Sequence, residues 1–462
     1  MKINNLIKTN LNIDIKGIKT NSKDIQEGDV FVCTLGSDDK HKYIEDAIEK
    51  GASLVVTNKS IIDDIPYIKV KDIDKTLQRM LDRYYSYPLI KTNLIGVTGT
   101  DGKTTTVSII RDMLHGASIG TNGLEYNGYS EELYNTTPSL EKIYECISKA
   151  NKDDINDIVM EVSSESYLTN RIPNLKFQVG IFTNITDEHL DKHKDFQDYF
   201  QCKMQLMKNS KTIIVNRDSK YFKEIIKYNS NYLTYGRKKS TVTIKKYKLF
   251  LDKTLITFKY KNKLYNIESP LVGKFNVDNL MAGILCLLSL NYDINDIIER
   301  IKLIKPIKGR VELIKIHDKS VLVDYAHTIN ATKNILKFIK KHSKKNIITV
   351  VGCAGGRFRE KRSLIGKIVL KYSKIVILTS DDPRDEDPKD IINEMLSKTK
   401  KKNYYRIIDR KEAITIALKI ATKDDIVLIL GKGHDNYMAI KNKYIPYSDI
   451  EVLKKYQNKN VI

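Results

Sequence analysis

Short apolar runs rich in β-branched residues recur along the chain and alternate with stretches of helical character. These runs include "NLIGVTG" (93–99), "DIVMEVS" (157–163), "VGIFTN" (179–184), "KTIIVN" (211–216), "NIITVVG" (346–352), "KIVILTS" (374–380) and "DIVLILG" (425–431). Continuously apolar strands separated by helices are typical of parallel sheets that helices cover on both faces. The pattern predicts an α/β protein built on parallel sheets.

Small, polar or charged residues directly follow each of these runs. Ligands of open parallel sheets bind outside the carboxyl ends of the strands. We therefore expect the functional residues to lie just after the predicted strands. At 462 residues the chain is long enough for two to four domains of roughly 100–200 residues each. The elements group into three α/β parts, residues 1–90, 91–307 and 308–462.

Composition adds a strong positive charge, because 79 Lys and Arg against 57 Asp and Glu give a net charge of +22. The basic residues are spread along the chain, as in "KYNSNYLTYGRKKS", without an arginine-rich patch, which argues against nucleic-acid binding. The apolar run "LMAGILCLLSL" (280–290) is too short to span a bilayer and predicts a buried helix. Five cysteines without a CxxC pair, and a start that lacks a signal peptide, predict a reduced, cytoplasmic protein without membrane insertion.

The stretch "GVTGTDGKTTT" (96–106) joins a predicted strand to a predicted helix. Gly99 and Gly102 allow a tight turn in which successive amide N–H groups face an anion. Lys103 supplies a charge for the outer phosphates, and Thr104 supplies a hydroxyl for Mg²⁺. The strict Walker spacing would place a glycine at Val97, so this is a variant loop. The stretch predicts an ATP site.

The form "GTDGKTT" resembles the phosphate loop of the Mur ligases, cytosolic ATP-dependent enzymes that build the peptide stem of peptidoglycan. Further stretches that resemble the family occur in its order: "NTTPS" (135–139), "MEVSSESYLTNRI" (160–172), "FTNITDEHLDKH" (182–193), "GKFNVDN" (273–279), "GRVE" (309–312), "DYAHT" (324–328), "DDPRDEDP" (381–388) and "GKGHDNY" (431–437). They extend over essentially the whole chain. They are most similar to the members that add the third residue of the stem.

This resemblance implies a fold, a reaction and a set of partners. The fold would comprise a UDP-substrate-binding domain (1–90), a central P-loop-type ATP-binding domain with a parallel sheet (91–307) and a Rossmann-like, amino-acid-binding domain (308–462). ATP would convert the D-glutamate carboxylate of UDP-N-acetylmuramoyl-L-alanyl-D-glutamate into an acyl phosphate, which the α-amine of the third amino acid attacks. We expect a monomer that uses ATP, Mg²⁺ and small-molecule substrates.

Acyl-phosphate chemistry requires charge stabilisation in a site that excludes water. Glu161 and His189 follow predicted strands next to the phosphate loop, where a hard cation would find ligands; a surface acid and a loop histidine are the alternatives. The resemblance implies that both are metal ligands, together with Thr104. It also implies that Lys203 carries a CO₂-derived carbamate that holds a second Mg²⁺, the alternative being an unmodified lysine. The implied catalytic set is Lys103, Glu161, His189 and Lys203.

The remaining ATP and substrate contacts are implied by the resemblance alone. The ATP-binding set is Gly99, Thr100, Asp101, Gly102, Lys103, Thr104, Thr105, Asn276, Asn279, Arg310, Asp324 and His327. The set for the UDP-muramoyl-dipeptide is Ser22, Thr136, Thr137, Ser163 and Arg171. His327 has a buried, hydrogen-bonded histidine as its alternative. Two departures from the family lie nearby, since Asn21-Ser22-Lys23 replaces Asp-Ser-Arg and Glu165 replaces a histidine.

The stretch "TSDDPRDEDP" (379–388) bears on the choice of amino acid. In the Mur ligases that add meso-diaminopimelate the matching stretch is Asn-Pro-Arg, and its arginine binds the distal carboxylate. Arg384 matches that arginine and Arg357 a second one, and an arginine can hold a carboxylate through two hydrogen bonds. Asp382 replaces the asparagine, and its extra negative charge would favour an ammonium group instead of a carboxylate; Asp435 replaces the glutamate expected to hold the amine. The implied amino-acid-binding set is Arg357, Asp382, Arg384, Gly431 and Asp435.

Three alternatives stay open at this point. The same ligase could use L-lysine or another diamino acid in place of diaminopimelate. A related amide ligase, such as a folylpolyglutamate synthetase or one that acts on a different acid, is opposed by "NTTP" and "DDPR". A nucleotide-binding regulatory protein without catalysis is supported only by Glu165 and Asp435.

Overall fold

The computed structural model describes residues 1–36, 39–61, 65–186, 193–305, 309, 311–441 and 443–459. The chain divides into two compact units. The first comprises Met1–Lys246, Thr257–Ile267 and Phe275–Ile304, and the second comprises Tyr247–Ile256, Glu268–Lys274 and Lys305–Ile462. The three-part boundaries at residues 90 and 307 stay predictions.

The first unit begins with a four-stranded parallel sheet in the order β1-β2-β3-β4. Its elements are β1 (Ile18–Lys19), β2 (Val30–Val32), α1 (Ile44–Glu49), β3 (Leu54–Thr57), β4 (Tyr67–Lys69), α2 (Ile73–Tyr84) and α3 (Pro88–Lys91). β2 and β3 are buried along their whole length, as expected of central strands covered on both faces. Asp72 caps the first turn of α2 by accepting a hydrogen bond from the Lys75 amide.

An eleven-stranded sheet follows, in the order β15-β14-β13-β12-β11-β10-β5-β9-β6-β7-β8. Its strands are β5 (Asn93–Thr98), β6 (Ala117–Gly120), β7 (Gly123–Tyr126), β8 (Tyr129–Glu131), β9 (Asp157–Glu161), β10 (Phe177–Phe182), β11 (Ser210–Asn216), β12 (Tyr232–Gly236), β13 (Val242–Leu249), β14 (Thr254–Tyr260) and β15 (Lys263–Ser269). The helices in this part of the chain are α4 (Lys103–Leu114), α5 (Leu140–Lys152), α6 (Ser164–Leu168), α7 (Phe196–Lys208), α8 (Phe222–Ile225), α9 (Lys274–Ser289) and α10 (Ile294–Arg300).

The middle of this sheet confirms the predicted parallel arrangement. β5 pairs in parallel with β9 on one side and with β10 on the other. The carboxyl ends of the three strands therefore meet at one edge, where Thr98, Glu161 and Phe182 are the last strand residues. The phosphate loop lies between β5 and α4, as the sequence predicts, and the apolar run 280–290 falls largely within the buried helix α9.

The second unit contains a six-stranded sheet in the order β16-β17-β21-β18-β19-β20, in which only the β16–β17 pair is antiparallel among the pairs described. The strands of this sheet are β16 (Glu312–Ile316), β17 (Lys319–Asp324), β18 (Asn346–Val351), β19 (Ile375–Leu378), β20 (Tyr404–Arg406) and β21 (Asp425–Leu430). A separate hairpin comprises β22 (Tyr437–Ile440) and β23 (Lys443–Pro446). Its helices are α11 (Ile329–His342), α12 (Glu360–Tyr372), α13 (Pro388–Leu396), α14 (Arg410–Ile420) and α15 (Asp449–Lys459).

Two further expectations from the composition can be compared with the structure. All five cysteines are free thiols, as expected of a reduced protein, and four of them are buried. Within the described ranges, no helix combines the length and the apolar character needed to cross a membrane.

Candidate active site

The phosphate loop has the backbone shape that its glycines predict. Gly102 adopts a φ of +83°, and a Cβ there would lie 2.8 Å from Oδ1 of Asn279. α4 begins directly afterwards at Lys103, so the first N–H groups of the helix lie beside the loop without an intrahelical acceptor. Such a helix start attracts anions through its amides and its dipole. The structure thus places Asn279, from the predicted ATP-binding set, next to the loop.

Asn184 holds the loop in this shape. Its side-chain oxygen accepts a hydrogen bond from the Asp101 amide at 2.9 Å, and its Nδ2 donates to the Asp101 carbonyl at 3.0 Å. Its own carbonyl accepts from the Thr100 amide at 2.9 Å. The sequence interpretation missed this role, although Asn184 is the last residue of the quoted run "VGIFTN".

Two lysines approach the loop from different helices. Lys103 Nζ donates to the carbonyls of Gly99 and Thr100, at 2.9 Å in each case. Lys203, on α7, is 2% exposed and also donates to the Gly99 carbonyl, at 2.9 Å. Burial, with a smaller contribution from the positive charge of Lys103, places the pKa of Lys203 well below its usual value. Its Nζ lies over the ring of Tyr199, 4.4 Å from the ring centre. Burial and the Lys103 charge therefore make the Lys203 amine easier to deprotonate than an ordinary lysine.

Glu161 brings a carboxylate to the same sheet edge. It is 1% exposed, and its Oε1 accepts from the Thr104 hydroxyl at 3.0 Å and from the Thr121 amide at 2.9 Å. In the described part of the chain, no nitrogen of a Lys, Arg or His side chain lies within 4 Å of the Glu161 carboxylate. Buried carboxylates are normally paired with a cation or bound to a metal. The residues therefore fit a divalent cation held by Glu161 and Thr104.

Three of the five predicted contacts of the muramoyl-dipeptide, Thr137, Ser163 and Arg171, form one hydrogen-bonded cluster. Thr137 Oγ1 donates to the Glu161 carbonyl at 2.9 Å and accepts from the Ser163 amide at 2.9 Å. Arg171 Nη1 donates to the Thr137 carbonyl at 2.9 Å, and Thr136 lies at the adjacent position. Glu165, which replaces the family histidine, lies 3.2 Å from Arg171 Nη2 and so neutralises part of its charge.

Ser22 lies in the N-terminal segment, outside this cluster. Its hydroxyl helps to lower the pKa of the Asp46 carboxyl. The loop that carries Ser22 is fixed to α5, because the amide and hydroxyl of Thr20 donate to Glu141 Oε1 at 3.2 and 2.7 Å. Glu141 is a second residue that the sequence interpretation missed.

The remaining members of the ATP-binding set are distributed over both units. Asn276 and Asn279 lie buried on α9, where Asn279 Nδ2 donates to Asn276 Oδ1 at 3.1 Å. Asp324, at the end of β17, accepts from the amides of Val311 and Ala326 at 2.8 and 2.9 Å. His327 is exposed, so the alternative of a buried histidine is wrong. His189 and Arg310 lie outside the described residues.

The predicted amino-acid site contains a buried charge cluster built around Lys432. Lys432 is fully buried, and its ammonium lies 2.8 Å from Asp382 and 3.3 Å from Asp435. The ring of Tyr437 lies over it at 4.7 Å. Burial by itself would lower the pKa of Lys432, but the carboxylates around it, including Asp381, outweigh that effect and raise it. The sequence interpretation overlooked Lys432, although it lies within the quoted "GKGHDNY" motif.

This cluster changes the interpretation of Asp382. Its Oδ1 accepts from Lys432 at 2.8 Å and from the Ala439 amide at 2.9 Å, so its charge is offset inside the protein. Asp435 differs, because burial raises its pKa to about 6 despite the opposing effect of Lys432. Lys432 thus meets the charge of Asp382, which the sequence predicts to favour an ammonium group, and the role of Asp435 in holding the amine stays a prediction.

The two predicted arginines lie on neighbouring loops. Asp382 and Arg384 flank Pro383 in left-handed conformations, with φ of 44° and 52°. β22 holds this segment, because the Arg384 amide donates to the Ala439 carbonyl at 3.0 Å. Arg384 Nη1 lies 3.9 Å from the position that a Cβ on Gly356 would take. Gly356 directly precedes Arg357, whose side chain is exposed.

The fold and this site define a P-loop-type nucleotide-binding α/β protein with a second, Rossmann-like unit. The sequence profile of the Mur ligase middle domain matches residues 97–287, and that of the Mur ligase glutamate ligase domain matches residues 309–433. The chain belongs to the Mur ligase family, whose members are ATP-dependent amide ligases.

Several relatives that all carry one enzyme name match nearly the whole chain. The UDP-N-acetylmuramoyl-L-alanyl-D-glutamate–2,6-diaminopimelate ligase of Clostridium tetani is 36% identical and covers 98% of this chain and 96% of its own. The ligase of that name from Aquifex aeolicus is also 36% identical, with 96% and 93% covered. A solved structure of such a ligase is 25% identical, with a TM-score of 0.71 and 99% of each chain covered. The MurF ligase of Thermotoga maritima, solved with ADP, shares the fold at a TM-score of 0.63, with 19% identity and 96% of this chain and 97% of its own covered.

Proposed function

We propose that this chain catalyses the ATP-dependent addition of meso-2,6-diaminopimelate to UDP-N-acetylmuramoyl-L-alanyl-D-glutamate, a step of peptidoglycan biosynthesis. The observation that carries the proposal is the similarity of at least 34% over nearly the full chain to relatives named for this reaction. Two features of the site support it: a buried carboxylate beside the phosphate loop and two arginines on adjoining loops of the second unit.

The first half-reaction transfers the γ-phosphoryl group of ATP to the D-glutamate carboxylate. The first-turn amides of α4 and the Lys103 ammonium would bind the phosphates and offset the charge that develops on them. Mg²⁺, when bound, would supply Lewis-acid stabilisation of the phosphate oxygens, with Glu161, Thr104 and the predicted ligand His189 as its holders. Arg171 and Thr137 would hold the acid substrate near this edge of the sheet.

In the second half-reaction the neutral α-amine of the amino acid attacks the acyl phosphate carbon. The new amide forms as the carbon–oxygen bond to phosphate breaks, and the amine loses a proton. Arg384 and Arg357 would hold the distal carboxylate of diaminopimelate, while Asp435 would accept from an ammonium group. Catalysis on this proposal consists mainly of positioning and electrostatic stabilisation.

Lys203 would react with CO₂ to form a carbamate. This reaction needs the neutral amine: nitrogen bonds to the carbon of CO₂ and one proton leaves. The lowered pKa of Lys203 supports it, because a buried ammonium there would also face the charge of Lys103. With ¹³C-bicarbonate, we expect a carbamate carbon resonance that a Lys203→Ala protein lacks; the same resonance in both proteins would exclude this modification.

The test of the main proposal is an ADP-release assay with the UDP-muramoyl-dipeptide and a panel of amino acids. Diaminopimelate is expected to support turnover with a kcat/KM well above that of L-lysine. Turnover with L-lysine alone would establish the alternative amino acid, and no turnover with any amine would contradict a ligase. The cytoplasmic location and the monomeric state stay predictions; equilibrium sedimentation would test the latter.

A further inference from the structure

Arg362 is a large, charged side chain with no exposed surface, and carboxylates surround it. Its Nη1 and Nη2 donate to the two oxygens of Glu386 at 2.7 and 2.8 Å, which is a bidentate pair. Nη1 also donates to Glu394 at 2.8 Å, and Nη2 donates to the Ala354 carbonyl at 3.0 Å. Because Arg362 lies on α12 and is fully buried, this network has a fixed anchor.

Glu386 connects this anchor to both arginine loops. It belongs to the segment 379–388 that carries Arg384, and its Oε1 accepts from the Gly356 amide at 2.6 Å. A second bond joins the same loops, from the Gly355 amide to the Asp382 carbonyl at 3.0 Å. The pKa of Glu386 is lowered to about 2, mainly by its hydrogen bonds with Arg362 and then by the Gly356 amide.

We propose that Glu386 is a positioning residue for amino-acid selection, because it fixes the loop of Arg357 against the loop of Arg384 so that both guanidinium groups face one carboxylate. This inference rests on the proposed function, since it takes the distal carboxylate of diaminopimelate as the group that the two arginines bind. On this inference Glu386 acts through the two loops and not through contact with the substrate. It acts by fixing the distance between Arg357 and Arg384. Without it, this distance would vary with the position of the exposed loop of Arg357.

The geometry gives Glu386 a role that the other acid on Arg362 does not share. Glu394, on α13, pairs with Arg362 and with Arg359, but within the described residues it makes no hydrogen bond to the loop 354–357. Replacing Glu394 thus weakens the anchor without releasing the Gly356 amide. Glu386→Gln removes the charge and puts an NH₂ group against an arginine donor, which breaks the bidentate pair and leaves only a neutral oxygen, a weaker acceptor, for the Gly356 amide. The two substitutions form a matched pair.

The experiment measures kcat/KM for meso-diaminopimelate and for L-lysine in the wild type, Glu386→Gln and Glu394→Gln. In Glu386→Gln we expect the ratio of the two constants to fall on the order of 10- to 100-fold, through the KM of diaminopimelate, since displacements of about 1 Å can have effects of that size. The KM values of ATP and of the UDP-muramoyl-dipeptide should stay within about twofold. Glu394→Gln should keep the wild-type ratio.

A ratio that is unchanged in Glu386→Gln, or an equal loss in both Gln variants, would overturn the inference while leaving the ligase intact. Wild-type turnover with L-lysine but not with diaminopimelate would overturn it as well. No turnover by the wild type with any amine would instead refute the proposed function, and this inference with it. If Glu386→Gln does not fold, Glu386→Asp, which keeps the charge and shortens the reach, is measured for the same ratio.

Discussion

Replacing Lys432 with Met should destabilise the second unit severely, because it leaves carboxylates that are only 14% exposed without their cation. Methionine has a similar length and is apolar, so the change removes the charge with little change in volume. Lys432 is fully buried and lies 2.8 Å from Asp382 and 3.3 Å from Asp435. The substitution therefore tests the attraction between the Lys432 ammonium and the carboxylates around it.

The expected size follows from these distances. Two unit charges about 4 Å apart attract each other by about 4 kcal/mol at an effective dielectric constant of about 20. Removing one partner of a buried pair costs roughly 3–5 kcal/mol, because the remaining charge stays desolvated. At pH 7.5 the free energy of unfolding should fall by about that amount. Chemical denaturation followed by circular dichroism measures it, since the chain contains no tryptophan for fluorescence.

The loss should depend on pH in a definite direction. Without Lys432 the pKa of Asp435, already about 6, rises further, because Lys432 lowers it in the wild type. The folded variant then binds more protons than the unfolded chain between about pH 4 and the raised pKa, so its stability increases as the pH falls through that window. The difference from the wild type should shrink towards pH 5.

A control variant makes this prediction refutable. Lys454→Met removes a lysine whose side chain is 64% exposed, from a surface pair with Glu451, and should leave the denaturation midpoint unchanged. Wild-type stability of Lys432→Met at pH 7.5, or a loss that is equal at pH 5 and pH 8, would refute the reasoning. Either result would mean that water reaches the carboxylates around position 432.

Three further outcomes are expected. Arg384→Ala should raise the KM of diaminopimelate about 10- to 100-fold, because it removes one charged hydrogen-bonded contact, and should leave kcat/KM for L-lysine within about threefold. An equal effect on both amino acids would place Arg384 outside amino-acid selection. For the wild type, kcat/KM for the amino acid should decrease as the pH falls through about 6, because Asp435 takes up a proton there, and Asp435→Asn should lose that step from its pH profile. Lys203→Ala should lower kcat by at least about 100-fold. Lys208→Ala should not, because Lys208 is an exposed lysine on the same helix. Comparable rates for Lys203→Ala and the wild type would contradict a catalytic role of Lys203.

Much of the fold could be predicted because its signals are local. The strand of Asn93–Thr98, the loop after it and the helix from Lys103 are encoded in one continuous stretch, and the structure has them in that order. The same holds for the buried helix at 274–289 and for Glu161 at the end of its strand. Chain neighbours alone determine such features, through apolar runs and glycine conformations.

The partners of the charged residues could not be predicted, because they come from distant parts of the chain. Asp382 suggested an ammonium site, yet its charge meets Lys432, fifty positions away in sequence. Asn184 was not expected to hold the phosphate loop, nor Glu141 to fix the loop of Ser22. The placement of His189 and Arg310 stays a prediction from the family resemblance.

The acidic stretch 379–388 separates the two kinds of information most clearly. Its sequence alone determined that a strand ends there and that an arginine stands among five carboxylates. Only the tertiary structure decided what those acids do: Asp382 neutralises Lys432, and Glu386 holds the buried Arg362 together with the loop of Arg357. The reason is physical. A residue's backbone preference depends on its chain neighbours, whereas the effect of its charge depends on which other charges the fold brings within a few ångströms and on how much water remains between them.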